Sequence, residues 1–239
     1  MNRRQRRRQE RRVEMLDKAM QIVVEQGLEA LTIARLADAL DAAVGGLYRY
    51  FPSKQALLAA LQMQAIEQFY DDLQEELKRV DEELQARGIN HQEDNIALLY
   101  RLKIPVRFFL ADATKAPDRH RLMDALISSP QVLLGDDEIA EVNKSLFPIL
   151  EIVGNMLGQA GNQGALNKGD IAQRTHIIWA TVHGMDHFRK RDRIHPQKLK
   201  VDTMIEANLH ALMIGWGANP EDIDKIIAFE ANLKAEPEA

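Results

Sequence analysis

The apolar residues of this chain recur every three to four positions, which is the spacing of an amphipathic α-helix. The first such segment runs from about residue 11 to 26, with Leu16, Ala19 and Val23 on one face and Gly27 placed to end it. No stretch shows the sustained alternation of apolar and polar residues that a half-buried β-strand requires. The pattern therefore predicts an all-α protein.

Two short helices follow, separated by only three residues. Thr32 is a suitable N-cap for the first of them, which runs to about residue 40. After the joint at residues 41–43, the second runs from Val44 to Tyr50 or Phe51. Two short helices joined by a tight turn and packed against a preceding helix form the outline of a helix-turn-helix.

Proline and glycine divide the rest of the chain into longer helices. Pro52 ends the preceding helix, and Ser53 is placed to cap a long helix that continues to about Ala86, before Gly88. Further helices are predicted at about residues 92–112, 118–128, 136–159, 168–191, 199–215 and 220–234.

Three features should interrupt these helices. Pro105 and Pro148 lie inside apolar helical patterns, so a kink or a break is expected at each. The glycine-rich segment 158–169 is expected to be a mobile loop.

The composition excludes several classes of protein. The chain has no cysteine, which rules out disulfide scaffolds, cysteine-bound zinc and thiol catalysis, and which fits a cytoplasmic protein. No apolar run approaches the roughly 18 residues that a membrane-spanning helix needs. No apolar segment follows the basic N-terminus as it would in a secretory signal. Hydrophobic residues at 46% and charged residues at 28% are typical of a folded globular protein.

The charge of the chain is distributed unevenly. The formal net charge is −5, but residues 1–12 contain seven arginines and one glutamate, so this segment carries +6 and the remainder −11. One interpretation is a solvated, disordered tail; the other is an arm that binds a polyanion. Its position before a predicted helix-turn-helix favours DNA, and insertion of arginine into the minor groove is a known mode of such arms. The candidate contacts are Arg3, Arg4, Arg6, Arg7 and Arg8.

The sequence VGGLYRYFPSK at residues 44–54 contains groups suited to a DNA duplex. Gly45 and Gly46 lack side chains that would hold the helix away from base edges, although each costs roughly 1 kcal/mol in helix propensity. Val44 can offer methyl groups to a thymine methyl.

Polar donors follow the glycines. Tyr48, Arg49 and Tyr50 carry hydroxyl and guanidinium donors suited mainly to phosphate, and Arg49 can also read guanine. Lys54 adds a charge beside the free backbone N–H groups that begin the next helix. A plain helical corner with Leu47 in its core would explain the apolar residues, but not these cations or the paired glycines.

The segment TIARLADALDAAVGGLYRYFPSKQALL, residues 32–58, resembles the DNA-binding domain of TetR-family transcriptional regulators. The shared pattern consists of Thr32, Ile33-Ala34, Leu36-Ala37, Gly45, Leu47-Tyr48, Tyr50-Phe51 and Lys54-Gln55-Ala56-Leu57. With the first helix, the resemblance covers about residues 11–60, and beyond residue 60 it is a resemblance of architecture. It implies an N-terminal three-helix domain followed by a larger helical domain for effector binding and dimerisation.

The resemblance also implies roles for individual residues. The family's phosphate contacts match Thr32, Tyr48, Tyr50 and Lys54. The base-facing part of its recognition helix matches Val44, Gly45 and Gly46, and Arg49 is implied to lie near the groove.

Two positions depart from the family's pattern. Asp41 stands where family members usually have glycine in the turn, and Ala43 stands where serine or threonine usually caps the recognition helix. An alanine cap loses a hydrogen bond worth about 1 kcal/mol. An Asx-type bond of Asp41 would compensate in part, since Asp tolerates tight turns. We expect the helix-turn-helix to form, with a turn that differs in detail.

The residues and the resemblance together predict three parts: a basic, disordered arm at residues 1–10, a helix-turn-helix domain at 11–52, and an all-helical ligand-binding and dimerisation domain at 53–239. The implied partners are double-stranded DNA with a palindromic operator, a second copy of the chain, and a small-molecule effector. The apolar excess favours a lipophilic effector. No cofactor and no membrane partner are predicted.

The larger domain offers candidate residues for both of its implied roles. The predicted effector pocket is lined by Phe69, Leu102, Val106, Phe109, Leu150, Met156 and Trp179, with Arg107 and Asn155 placed to orient a polar group. The predicted dimer interface, a four-helix bundle of the segments 168–191 and 199–215, includes Ile178, Val182, His183, Leu209, Leu212 and Met213. For each of these residues, ordinary core packing is the alternative.

Three histidines, His176, His183 and His187, fall on one helical stripe. The last two could share a metal, and HGMDH imitates the H-x-x-E-H order of zinc proteases, but Asp186 replaces the glutamate and a third ligand is missing. Trp-Ala-x-x-His-Gly resembles a recurring stretch in the penultimate helix of many family members, where it packs at the dimer interface. We therefore favour packing or hydrogen bonding in the dimer over metal sensing or hydrolysis. No nucleophilic triad, phosphate loop or paired-carboxylate arrangement stands out, so we do not predict an enzyme.

The prediction is a dimeric, sequence-specific transcriptional regulator, most simply a repressor that a small molecule releases from its operator. The alternatives are an architectural DNA-binding protein without an effector and a metal-responsive DNA-binding protein.

Overall fold

Every regular element of the computed structural model is a helix within the residues that it describes, 2–128 and 134–235. The α-helices in these ranges are α1 (Arg3–Gln26), α2 (Ile33–Ala39), α3 (Val44–Leu47), α4 (Lys54–Ala86), α5 (Asn95–Lys115), α6 (Pro117–Ser128), α7 (Asp136–Gln163), α8 (Ile171–Asp186), α9 (Val201–Gly215) and α10 (Pro220–Ala235). Short 3-10 turns occur at Leu28–Ala30, Arg189–Arg191 and Gln197–Leu199. In the described ranges, no helix has the length and apolar character to cross a membrane. The predicted all-α class is confirmed.

Local sequence signals set several helix ends where we predicted them. The Thr32 hydroxyl accepts a hydrogen bond from the Arg35 N–H at 3.1 Å and begins α2. In the same way, the Ser53 hydroxyl accepts one from the Ala56 N–H at 2.9 Å at the start of α4. Gly88 follows α4 with a φ of 74°, the left-handed conformation that glycine adopts most readily. These three predictions are confirmed.

The basic N-terminal segment does not form the disordered arm that we predicted at residues 1–10, because α1 already includes it. The Asn2 side chain accepts a hydrogen bond from the Gln5 N–H, and the Gln5 side chain accepts one from the Asn2 N–H, both at 2.9 Å. Arginine and glutamine are good helix formers, and Arg6 pairs with Glu10 one turn later at 2.8 Å. The run of arginines that we predicted to be a disordered tail is therefore the first part of a capped helix.

Two further predicted boundaries are wrong. α3 ends at Leu47, and residues 48–50 continue as turns rather than as helix. α7 continues through the glycines to Gln163, so the loop before α8 comprises only residues 164–170. Single glycines weaken a helix by about 1 kcal/mol, which tertiary packing can outweigh.

Neither interior proline breaks its helix. Pro105 lies within α5 and Pro148 lies within α7, and both helices continue beyond them. A proline removes one backbone hydrogen bond, and Pro105 is itself buried among apolar neighbours on its helix. Of the two outcomes that we expected, a kink or a break, the break is ruled out.

The described chain forms two compact units. The first consists of Met1–Phe69 and Lys115–Phe147. In it, α1 packs on α2 and α2 packs on α3. Each of the first four helices contributes side chains that are almost completely buried: Leu16, Leu36, Leu47, Leu57 and Leu61. This core holds the helix-turn-helix, and the functional boundary that we predicted at residue 53 stays a prediction because the units reflect packing alone.

The second unit consists of Tyr70–Thr114 and Pro148–Ala239. α8 packs on α9 within it. Its most deeply buried apolar residues come from the second half of α4 and from α5, α7, α9 and α10: Leu73, Leu84, Leu98, Leu99, Leu102, Ala160, Val201, Ile205 and Ile226.

A cluster of charges connects three helices of the second unit. Lys103 on α5 is completely buried, and its ammonium lies 2.8 Å from Glu206 on α9 and 2.6 Å from Glu230 on α10. The Arg107 guanidinium contacts both of those carboxylates. His210 Nε2 lies 3.0 Å from Lys103 Nζ, and burial together with that cation lowers the pKa of His210. Burial raises the pKa of Glu206, but hydrogen bonds from Arg107 and Lys103 outweigh burial and keep it below its usual value. We call these five residues the charge cluster.

Candidate nucleic-acid interface

The joint between α2 and α3 is a Schellman turn. The Ala42 N–H donates to the Ala37 carbonyl at 3.0 Å, and the Asp41 N–H donates to the Asp38 carbonyl at 3.2 Å. Asp41 has a φ of 48°, in the left-handed region where glycine is favoured. The Asx-type bond that we predicted for Asp41 is absent from the described structure, which gives this side chain no hydrogen bond. The backbone bonds alone hold the turn.

We expect Asp41→Gly to stabilise the folded protein by up to about 1 kcal/mol, because glycine adopts a left-handed φ without a Cβ clash. Urea unfolding of the two proteins measures the difference. Gly88→Asp is the matched reverse change, since Gly88 has a φ of 74° and no atom within 4 Å of an added Cβ, and it should destabilise. A loss of stability in Asp41→Gly would show instead that the carboxylate contributes to the turn.

Of the residues that we predicted to face the bases, α3 leaves Val44 and Gly45 exposed and Gly46 half-buried. Leu47 is completely buried and anchors α3, whereas Val44 is 39% exposed. A Cβ atom added to Gly45 or Gly46 would meet no atom within 4 Å, and neither glycine has a positive φ. The fold therefore does not need glycine at either position. As predicted, Ala43 gives α3 no side-chain cap.

The candidate phosphate contacts lie before and after these glycines. Tyr48 is 50% exposed, and Thr32 and Arg49 are also exposed. Lys54 is half-buried in the first turn of α4, where backbone N–H groups lack helical partners. Within the described structure, neither Arg49 nor Lys54 forms an ion pair. Hydroxyl and cationic donors without carboxylate partners are what a phosphate backbone requires.

The N-terminal extension of α1 lies against the residues that follow α3. The Arg8 guanidinium lies 5.8 Å from the centre of the Tyr50 ring and donates to the Arg49 carbonyl at 3.4 Å. The Arg12 guanidinium lies 5.7 Å from the centre of the Phe51 ring. Arg12 was not among the contacts predicted from the sequence, because its place on α1 beside Phe51 depends on the tertiary structure. The other predicted arm contacts, Arg3, Arg4, Arg6 and Arg7, are exposed.

The residues predicted to line an effector pocket are distributed over both units. Phe69 is buried in the first unit, with the Arg119 guanidinium 5.8 Å from the centre of its ring. In the second unit, Leu102, Val106, Phe109 and Met156 are buried, and Leu150 and Trp179 are half-buried. Arg107 belongs to the charge cluster, so our suggestion that it orients a ligand is not supported.

The second unit has an open groove of about 410 Å³ on its surface. Its lining is largely polar, and the Arg101 guanidinium is paired there with Asp81 at 2.7 Å. Of the residues that we singled out, Met156 and Asn155 line it. An apolar effector pocket stays a prediction.

Most of the predicted dimer contacts are buried within the chain itself. Ile178, Val182, His183, Leu209 and Met213 are buried, and Leu212 is half-buried. The small and apolar residues that α8 and α9 leave exposed are Ile171, Ala172, Ile177, Ala180, Gly184, Ala207, Ala211, Ile214 and Gly215. Sequence periodicity could not separate the two sets, because both faces of these helices are apolar.

The histidines of α8 make packing contacts. The centre of the His183 ring lies 4.6 Å from that of Phe109 and 5.3 Å from that of Trp179. His176 Nδ1 lies 2.8 Å from the Ala172 carbonyl oxygen, and His187 is exposed at the end of α8. Across the described ranges, no group of three or more His, Cys, Asp and Glu side chains is placed to hold a metal ion.

Comparison with known proteins identifies relatives of the N-terminal part. Residues 15–61 match the family model described as bacterial regulatory proteins, tetR family. The chain is 51% identical over 51 residues to the HTH-type transcriptional repressor KstR of Mycobacterium tuberculosis, covering 21% of this chain and 23% of KstR. It is 30% identical over 135 residues to KstR of Rhodococcus jostii, covering 56% of this chain and 54% of that protein. The chain thus matches about half, or less, of the length of these curated relatives.

A solved structure extends the likeness over most of the chain. The regulator FadR of Bacillus subtilis, in complex with stearoyl-CoA, has a TM-score of 0.56 at 16% identity and covers 84% of this chain and 97% of FadR. At this identity, the likeness shows a shared fold.

Proposed function

We propose that this chain, whose residues 15–61 match the tetR family of bacterial regulatory proteins, is a dimeric transcriptional repressor. In this proposal, the helix-turn-helix reads a palindromic operator in cytoplasmic double-stranded DNA. A small molecule bound by the helical second unit releases the operator. We assign no catalytic role to any residue.

The observation that carries the proposal is the pair of glycines on α3 with open space beside both of them. Gly45 and Gly46 cost helix stability, yet nothing inside the protein occupies the space that a Cβ would take. The close approach that glycine permits is therefore of use only to a molecule outside the chain. The neighbouring Tyr48, Arg49 and Lys54 supply phosphate donors, so DNA is the partner that fits both the missing side chains and the charge.

We expect Gly45→Ala to raise stability and to weaken operator binding. The added methyl should stabilise α3 by about 0.5–1 kcal/mol, because alanine has the higher helix propensity. The same methyl should lower operator affinity by roughly tenfold, equivalent to about 1.4 kcal/mol, since it separates α3 from the base edges. Fluorescence anisotropy with labelled operator and urea unfolding measure the two effects. Unchanged operator affinity would contradict the assignment of α3 as the reading helix.

The operator itself should be obtained first, by selecting binding sites from random duplex DNA at a stated salt concentration near physiological. A palindrome supports a dimeric, sequence-specific regulator, because a two-fold dimer reads two related half-sites. If no preferred sequence is recovered and binding disappears as the salt concentration rises, an architectural DNA-binding protein becomes the favoured function.

Release by an effector requires that the effector bind the DNA-free conformation more tightly than the DNA-bound one. The FadR neighbour was solved with stearoyl-CoA, so long-chain acyl-CoA is the first class to add to the operator complex. The charge cluster joins α5 to α9, one of the two helices that we propose for dimerisation. If acyl-CoAs leave the complex unchanged, lipophilic compounds of other classes follow.

A further inference from the structure

The N-terminal extension of α1 is held in a fixed register against the residues that follow α3. Met15 is the first buried side chain of α1, and Arg12 and Arg8 precede it by three and seven positions, on the same helical face. This register brings Arg8 to Tyr50 and Arg12 to Phe51, with 5.8 and 5.7 Å between guanidinium carbon and ring centre. These two arginines therefore belong to the folded unit and not to a loose tail.

A cleft of about 490 Å³ lies at this contact, lined by Gln5, Arg8, Gln9, Arg12 and Tyr50. We call it the arginine–tyrosine cleft. Its lining contains guanidinium, amide and phenol groups and no carboxylate, and neither arginine forms an ion pair within the described structure. Arg8 uses one N–H donor for the Arg49 carbonyl at 3.4 Å, and a guanidinium has five. The spare donors suit an anion with several oxygen atoms.

The helical state of the extension restricts how it can meet a duplex. An α-helix with its side chains is about 10–12 Å wide, whereas the minor groove of B-DNA is about 6 Å wide. The extension therefore cannot enter the minor groove while α1 persists. The minor-groove insertion that its arginines suggest in the sequence would require about three turns of capped helix to unfold. The phosphates at the edges of the groove need no such unfolding.

We propose that the arginine–tyrosine cleft binds one phosphodiester of the DNA backbone, and that the extension acts as a rigid helical clamp beside α3. This inference rests on the proposed function, because it requires that α3 reads the duplex. Arg8 contacts both the Tyr50 ring and the Arg49 carbonyl, so a phosphate bound to Arg8 also orients the chain directly after the reading helix. The contact thus fixes register in addition to supplying affinity.

The first test compares Arg8→Ala with Arg7→Ala on the selected operator. Both changes remove one exposed charge from the extension, but only Arg8 lines the cleft. We expect Arg8→Ala to bind about tenfold more weakly and to reduce the salt slope by about 1, and Arg7→Ala to lose less than about threefold. Equal losses would overturn the proposal, because they would indicate diffuse attraction by the whole extension.

A second test asks whether Arg8 and Tyr50 share one phosphate. Tyr50→Phe keeps the ring beneath the guanidinium and removes only the hydroxyl. If the phosphate is shared, the double variant should lose less affinity than the product of the two single losses. Neutral methylphosphonates should then be placed one at a time in the operator. At one position the substitution should lower the operator affinity of the wild type but leave the affinity of Arg8→Ala unchanged. A scan without such a position would overturn the proposal.

A third test separates a helical clamp from a flexible arm. Glu10→Pro interrupts the extension between the two arginines at a residue that does not line the cleft, and Glu10→Ala, which removes the same charge, is the matched control. We expect the proline variant to bind about as weakly as Arg8→Ala, and the alanine variant to bind at least as tightly as the wild type. Wild-type affinity in Glu10→Pro would overturn the clamp. If the selection recovers a palindrome and all the extension variants bind it with the same affinity, only the cleft proposal fails. If the selection recovers no preferred sequence, the proposed function fails.

Discussion

Lys103→Ala should destabilise the protein by about 3–5 kcal/mol, the usual cost of leaving a buried charge without its partner. Lys103 is completely buried, and its ammonium lies 2.8 Å from Glu206 and 2.6 Å from Glu230. Without it, two carboxylates share only the Arg107 guanidinium in a site that water does not reach freely. The loss should appear in urea unfolding as a lower midpoint at unchanged slope.

The control for this prediction is Lys78→Ala, which removes an exposed lysine on α4. Its ammonium lies 3.8 Å from Glu82, and the two side chains are 79% and 65% exposed. Such surface pairs contribute about 0–1 kcal/mol, so this variant should unfold almost as the wild type does. If Lys103→Ala costs no more than the control, the charge cluster is not a stabilising element. Lys103→Met with Glu230→Gln should recover part of the loss, because it removes both charges of one pair.

Gly184→Arg should convert the proposed dimer to a monomer and weaken binding to the proposed operator by about 100-fold or more, because a monomer reads one half-site only. Gly184 is exposed on α8 near Ala180, and α9 exposes Ala207, Ala211 and Ile214. Small residues on adjacent helices let a partner's helices approach closely. An arginine there would place a charge in that contact. Analytical ultracentrifugation and anisotropy with the operator measure the two effects.

The space around Gly184 within the chain allows Gly184→Arg to report on a partner subunit. A Cβ added to Gly184 meets no atom within 4 Å, so the side chain can be accommodated in the monomer and any large effect arises from a partner. Ala231→Arg on α10 is the matched small-to-arginine change at another exposed site. It should leave the dimer and the operator affinity intact. A dimeric Gly184→Arg protein would move the interface away from this face of α8 and α9.

Sequence pattern predicted the helices well and the identities of exposed faces poorly. Amphipathic spacing and caps such as Thr32 and Ser53 located the helices of both units, usually to within a few residues. The sequence could not distinguish dimer contacts from core residues, because Ile177 and Ile178 are both apolar and only packing decides which one is exposed.

Part of the candidate DNA site could be predicted from the sequence, and part of it required the tertiary structure. Gly45, Gly46 and the donors that follow are adjacent in the chain, so their common location on α3 and the turn after it could be predicted from residue types and spacing. The role of Arg8 and Arg12 was not readable in this way, because it depends on contacts with residues about forty positions later. Composition indicates only the charge of these arginines, and a run of charge alone is typical of a disordered tail.

The sequence by itself determined the all-α class, the helix-turn-helix and its resemblance to a family of regulators. These depend on interactions within about four residues, namely backbone hydrogen bonds, caps and the periodicity of one helix face. Only the tertiary structure decided that Lys103 is buried between two glutamates more than a hundred positions away, and that Asp41 adopts a left-handed turn. A buried charge or a strained backbone is stable only when the surrounding fold supplies its partners, and local sequence does not encode which distant residues those are.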